Sequence, residues 1–171
     1  MRQWLVGIVA LLSQGALAQT PAPKDAELYI IYPQDGQQVS GAFPVRFGLK
    51  NMGVTRAGDT APNVGHHHLL VDVDASDLEQ NAPIPTDRRH LHFGGGQTET
   101  QLDLAPGKHT LQLVLGDAEH KIFNPPVISK KISVTVLDAT AIAQQPAVRK
   151  RAAVRKRTVV RKRRVPGNRS R

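Results

Sequence analysis

The chain has 171 residues, with 23 Lys and Arg, 14 Asp and Glu, seven His and no Cys. Because cysteine is absent, a disulfide framework and thiolate metal ligands are excluded. The net charge of +9 belongs to one end: residues 147–171 hold twelve bases and no acid, whereas residues 19–146 hold ten bases and all 14 acids.

Residues 1–18 are predicted to be a secretory signal peptide. Arg2 supplies the positive charge, Leu5 to Leu12 form the apolar segment, and Ala16-Leu17-Ala18 is the small-residue cleavage site. The apolar segment is shorter than the roughly 20 residues that cross a bilayer. We therefore expect a periplasmic or secreted protein with no transmembrane span after signal removal.

Residues 27–137 are predicted to form one all-β domain after a linker over residues 19–26. Short apolar or alternating segments are separated by Pro, Gly, Asp and Asn clusters, a pattern typical of β-strands and turns. The predicted strands are 27–32, 43–50, 66–73, 98–104, 108–115 and 128–136. We expect an immunoglobulin-like sandwich of two antiparallel sheets, with an eight-stranded barrel or a cupredoxin-like sandwich as alternatives. Residues 74–97 are predicted to be a long irregular connection.

The predicted strand 66–73 begins with three consecutive histidines. Its apolar residues stand at alternate positions: Leu69, Val71 and Val73. If this series faces the core, His67 shares its side and is a structural histidine. His66 and His68 then face solvent together at a strand edge, about 7 Å apart along the strand. Neutral imidazoles in such a pair can bind Cu²⁺ or Zn²⁺.

Two histidines elsewhere could complete such a site. His92, which forms a second i, i+2 pair with His90, and His120 are the candidates. The predicted metal ligands are therefore His66, His68, His92 and His120. His109 begins a strand and shares the side of Leu111, so we predict that it caps the core. The alternative for all these histidines is a purely architectural role at strand ends.

Residues 138–171 are predicted to be a disordered basic tail with VRKR repeats, because a block of like charge buries too little apolar surface to fold. Given the signal peptide, we expect this tail to bind an anionic envelope polymer or lipid headgroups, and nucleic acid is disfavoured. A solvated tail without a partner is the alternative. The residues assigned to anionic-surface binding are Arg149, Lys150, Arg151, Arg155, Lys156, Arg157, Arg161, Lys162, Arg163 and Arg164.

Three motifs resemble, in this order, a bacterial exported family, domain of unknown function 4399. They are GHHHLLVD, HFGGGQTETQLDLAPGKHTLQLVLGD and HKIFNPPVISKKISVTV, and the resemblance covers about residues 28–136. The histidines that match the pattern of the family are His66, His67, His68, His92 and His120. That pattern often reads HxPHxPPV, and Phe123 stands here in place of its second histidine. The resemblance implies no settled activity.

The leading functional prediction is an exported, non-enzymatic binding module. It would bind Cu²⁺ or Zn²⁺ through its histidines and dock on anionic envelope surfaces through its tail. One alternative is a structural or interaction domain of the envelope, and another is a metal-dependent enzyme with an open coordination position. No serine stands in a nucleophile-elbow context, and Gly94-Gly95-Gly96 precedes a strand rather than a helix, which disfavours a phosphate-binding loop.

Overall fold

The structure, a computed structural model, describes residues 19–138. The predicted signal peptide and the ten basic residues assigned to surface binding lie outside this range. Within it there are nine strands, one short 3-10 helix over Ala75–Asp77 and no α-helix. The strands are β1 Glu27–Tyr32, β2 Gln37–Ser40, β3 Phe43–Lys50, β4 Gly53–Val54, β5 Val64–Val71, β6 His90–Phe93, β7 Glu99–Leu102, β8 Gly107–Gly116 and β9 Ile132–Leu137. Over the same residues, no helix has the length and apolar character needed to cross a bilayer.

The strands form two sheets in a sandwich-like arrangement, so the all-β prediction is confirmed. The smaller sheet is antiparallel in the order β1-β3-β7. The larger sheet has the order β2-β9-β8-β5-β4, and β6 also pairs with β5. Because β2 runs parallel to β9 and β4 runs parallel to β5, the larger sheet is mixed, and the prediction of two purely antiparallel sheets is wrong.

The main core lies between the two sheets. Val45 and Phe47 of β3 contribute from the smaller sheet, and alternate leucines of β8 contribute from the larger one. These are Leu111, Leu113 and Leu115, all fully buried, as their period-2 alternation predicts.

A second apolar cluster lies on the opposite face of the larger sheet. Leu70 of β5 and Val114 of β8 occupy the alternate positions of their strands and pack there with Ala75, Ile84 and Ile122. The last three residues come from the connections around the sheet. This face of the larger sheet is therefore covered by loops, and it is the face to which His66 and His68 belong.

The segment 74–97 is less irregular than predicted, because β6 lies within it. β6 pairs with β5 from Phe93 opposite His67 to His90 opposite Leu70. β4 pairs with the start of β5 on the same side, and β8 pairs with β5 on the other. The prediction that the histidines stand at a strand edge is therefore wrong, since β5 has neighbours on both sides.

Candidate metal centre

The three consecutive histidines of β5 are all 0% exposed. The alternation of side chains along β5 places them on two faces, as predicted. His67 packs against Phe47, with ring centroids 5.1 Å apart. His66 and His68 lie on the other face, with ring centroids 4.9 Å apart. The prediction that His66 and His68 face solvent is wrong. The physical reason is that the loops forming the second apolar cluster cover this face of the sheet.

Four histidine rings converge on this face, and we call them the histidine cluster: His66, His68, His92 and His120. His92 lies on β6 directly opposite His68, and the two ring centroids are 5.0 Å apart. His120 comes from the turn after β8, with its ring 4.9 Å from that of His66 and 4.8 Å from that of His92. The structure thus brings together the four residues that the sequence selects as metal ligands.

The ring nitrogens of the cluster lie close to one another. His66 Nε2 and His68 Nε2 are 3.1 Å apart. One nitrogen each from His66, His92 and His120 lies within 4.8 Å of the other two. Nitrogens at 2.0–2.1 Å from a tetrahedral ion are about 3.3 Å from one another.

Several buried ring nitrogens in the cluster have no hydrogen-bond partner among residues 19–138: His66 Nδ1, His68 Nδ1 and His92 Nε2. Buried polar atoms in folded proteins are nearly always hydrogen-bonded, so each exception requires an explanation. Three exceptions lie inside this one group of imidazoles.

Burial favours the neutral form of three imidazoles in the cluster: His66, His68 and His92. Burial, and then the neighbouring His120 and His92, lower the pKa of His66 to about 4. Burial, and then electrostatic repulsion from His66 and His92, lower the pKa of His68 to about 3. The pKa of His92 is also lowered, by burial and then by His120. Neutral imidazole is the form that binds a metal ion.

Two glycines make room for the rings. Gly116 lies opposite His66 on β8, and a Cβ atom there would be 2.8 Å from His68 Nε2. A Cβ atom at Gly94 would be 2.6 Å from His92 Nε2. Both distances are shorter than Cβ atoms tolerate, so the absence of a side chain at these two positions allows the rings to converge.

A buried carboxylate, Asp117, holds the turn that carries His120. Asp117 is 3% exposed and accepts hydrogen bonds from Thr20 Oγ1 at 2.7 Å, Glu119 N at 3.0 Å and Lys121 N at 2.8 Å. His120 itself adopts a left-handed φ of 67°. The charge of Asp117 opposes the downward shift of the His66 pKa. Sequence reasoning missed Asp117, although it follows directly after the glycine that ends β8.

The remaining histidines lie outside the cluster. His67 Nδ1 is 3.1 Å from Gln97 O, and His90 Nδ1 is 2.9 Å from Asp87 Oδ1. His109 Nδ1 lies 2.8 Å from Asp72 Oδ2, and His109 Nε2 lies 2.9 Å from Ala105 O. His90 therefore does not share the site of His92, despite their i, i+2 spacing.

His109 is expected to titrate above the ordinary histidine pKa of 6.5. Burial lowers its pKa, but the hydrogen bonds to Asp72 and Ala105 and the charge of Asp72 outweigh that effect. The stability that protonated His109 contributes is thus fully present below pH 6.5 and lost as the pH rises through the raised pKa. NMR titration of the imidazole carbon-bound protons would measure the pKa directly. We expect Asp72→Asn to lower it, and an unchanged pKa in that variant would contradict the ion pair.

Residues 45–137 match the family described as Domain of unknown function (DUF4399). The chain belongs to this family. No curated protein matches the chain. Among solved structures, the DUF4399 chain is similar to the endo-beta-1,4-mannanase from Thermotoga petrophila, at 16% identity and a TM-score of 0.41. That likeness covers 67% of this chain and 20% of the mannanase chain.

Phe123 belongs to the main core of this DUF4399 domain. It is 0% exposed and packs in the cluster between the sheets, not among the histidines. Phe123 therefore contributes to the core and not to the histidine cluster.

Proposed function

We propose that the histidine cluster binds one divalent transition-metal ion, Cu²⁺ or Zn²⁺, and that the domain is a non-enzymatic metal-binding module. The observation that carries the proposal is the convergence of four imidazoles whose buried ring nitrogens include three without a partner among residues 19–138.

A purely architectural role for these rings is physically unfavourable. A buried nitrogen without a hydrogen bond loses its solvation and gains nothing in return, whereas apolar side chains of similar shape would fill the same space without that cost. The neighbouring second apolar cluster shows that leucine, valine and isoleucine pack well on this face of the sheet. Metal coordination would supply the partner that His66 Nδ1 and His92 Nε2 lack.

The chemistry of the donors favours particular ions. Imidazole nitrogen suits Cu²⁺ and Zn²⁺, whereas Ca²⁺ and Mg²⁺ prefer oxygen. The chain has no cysteine to supply a thiolate. The carboxylate of Asp117, whose charge acts on His66, already accepts three hydrogen bonds. The cluster is therefore a nitrogen site.

Calorimetric titration of the full chain with CuCl₂ and with ZnCl₂ tests the proposal. The protein should be purified without a polyhistidine tag and stripped of metal with a chelator. We expect one ion per chain for the natural protein, and loss of binding in the double variant His66→Ala, His92→Ala. His90→Ala and His109→Ala are matched controls, because both rings lie outside the cluster and should leave the affinity unchanged. Equal affinity in the double variant and the controls would refute the site.

We also propose that residues 1–18 direct export to the periplasm or the exterior, and that the basic tail attaches the chain to an anionic envelope polymer or lipid headgroups. The separation of charge supports this, since twelve basic residues lie in residues 147–171 without an acid. Each basic residue near an anionic surface contributes roughly 1 kcal/mol.

Cosedimentation with vesicles tests the role of the tail. The chain should bind vesicles that contain an anionic lipid, bind neutral vesicles weakly and dissociate as salt is added. A variant with glutamine at the ten assigned basic positions is the control, and equal binding by that variant would refute the proposal.

The immunoglobulin-like subclass of the sandwich is a further proposal. Two sheets that enclose one main core support it, whereas the parallel β2–β9 and β4–β5 pairs are departures from an antiparallel plan. A crystal structure of the domain, compared strand by strand with immunoglobulin domains, would decide it.

A further inference from the structure

We propose that the roles within the metal site are divided: His66, His92 and His120 bind the ion, His68 positions His66, and a fourth coordination position stays open for a small anion. This inference rests on the proposed function and specifies the ligand set and the chemical class of an exogenous ligand.

The two nitrogens of His66 have different surroundings. Nε2 lies 3.1 Å from His68 Nε2, within hydrogen-bond distance. Nδ1 is buried and has no partner among residues 19–138. If Nε2 carries the proton and donates it to His68 Nε2, the lone pair of His66 Nδ1 is free for the ion. His68 then fixes the tautomer of His66, as the partners of metal-binding histidines commonly do.

This division leaves fewer buried N–H groups without an acceptor than a site in which all four histidines bind the ion. If His66 and His68 both bound the ion through Nε2, both Nδ1–H groups would be buried without an acceptor. In the divided arrangement only the Nδ1–H of His68 is unpaired. Each unpaired buried donor costs free energy, so the arrangement with fewer of them is preferred.

Distances within the cluster lead to the same three ligands. Nitrogens of His66, His92 and His120 lie within 4.8 Å of one another. The rings of His68 and His120 are farther apart than any other pair in the cluster, at 6.0 Å between centroids. His68 is therefore the ring least suited to share an ion with His120.

Charge and exposure define the open position. Three neutral imidazoles leave the full double positive charge on the ion. Asp117 offsets part of this charge from a distance, but its oxygens are occupied by Thr20 and by the backbone of its own turn. His92 and His120 are only half-buried, whereas His66 and His68 are fully buried, so the side of His92 and His120 is the one nearer to solvent. Three protein ligands plus one exchangeable position is the arrangement that admits an external ligand, and an anion would neutralise the remaining charge.

Electron paramagnetic resonance of the Cu²⁺-loaded full chain counts the coordinated nitrogens through their hyperfine splitting. We expect three nitrogens in the natural protein, three in His68→Gln and two in His92→Gln. Copper affinity should fall about 10–100-fold in His68→Gln, as expected for a positioning residue. Four nitrogens in the natural protein, or the loss of one in His68→Gln, would overturn the division of roles.

Azide probes the fourth position. Titrating azide into the Cu²⁺-loaded natural protein should shift the electron paramagnetic resonance and visible absorption spectra in a saturable way, with no loss of copper. Unchanged spectra would overturn the open position while leaving the metal-binding proposal intact. Absence of any bound copper would overturn the metal-binding proposal, and this inference with it.

Discussion

Acidifying the metal-free protein from about pH 7.5 to about pH 4.5 is expected to lower its free energy of unfolding by roughly 2–3 kcal/mol from His66 alone. Burial, with repulsion from the other rings, lowers the pKa of His66 from 6.5 to about 4 and that of His68 from 6.5 to about 3. The unfolded chain therefore binds protons that the folded chain rejects. The stability is fully present above pH 6.5 and is lost as the pH falls toward the folded-state values.

Urea denaturation at a series of pH values, with a chelator present, measures this loss. The double variant His66→Gln, His68→Gln should show a flatter dependence on pH, because neither glutamine titrates. His109→Gln is a second control, since the pKa of His109 is raised and its contribution has the opposite sign. If the free energy of unfolding of the double variant fell as steeply with pH as that of the natural protein, protonation of His66 and His68 would not be the cause.

Phe123→Ala is expected to destabilise the domain by about 3–5 kcal/mol, the usual cost of truncating a large buried aromatic side chain. Phe123 is 0% exposed and is the largest of the fully buried residues. Its ring packs in the main core between the two sheets, so its removal would leave a cavity there.

Urea denaturation at neutral pH measures the free energy of unfolding. The slope of this free energy against urea concentration should be the same in the variant and the natural protein. Phe123→Leu keeps most of the apolar volume and should cost much less. Ile31→Ala is the matched surface control, because Ile31 is 46% exposed and its truncation should change stability by no more than about 0.5 kcal/mol. A loss below about 1 kcal/mol for Phe123→Ala would contradict the packing described here.

The strands that the sequence predicts best are those whose own side chains alternate. Leu111, Leu113 and Leu115 of β8 face the main core as their spacing requires. The strands that it misses are short: β2 has four residues, β4 two and β6 four. Their pairing is set by the neighbouring strand rather than by their own composition, and that context is invisible in a single sequence.

The same limit applies to the metal centre. The alternation of side chains along β5 predicts that His66 and His68 share one face. His92 and His120 are predicted as further ligands because they are histidines. The burial of this face could not be predicted, because Ile84 and Ile122 are isolated apolar residues in loops without a period. The register between β5 and β6 explains why His92, and not His90, belongs to the histidine cluster. His92 lies opposite His68, whereas His90 lies opposite Leu70.

The pairing of β2 with β9 has a consequence for the order in which the protein folds. Gln37 lies beside Val134, so one outer strand of the larger sheet is joined to the final strand of the domain. A chain emerging from the ribosome cannot complete this sheet until Leu137 has been synthesised. Contacts between such distant segments form slowly. A chain shortened before β9 would leave β2, and the first half of β8 from Gly107 to Leu111, without their hydrogen-bonding partner.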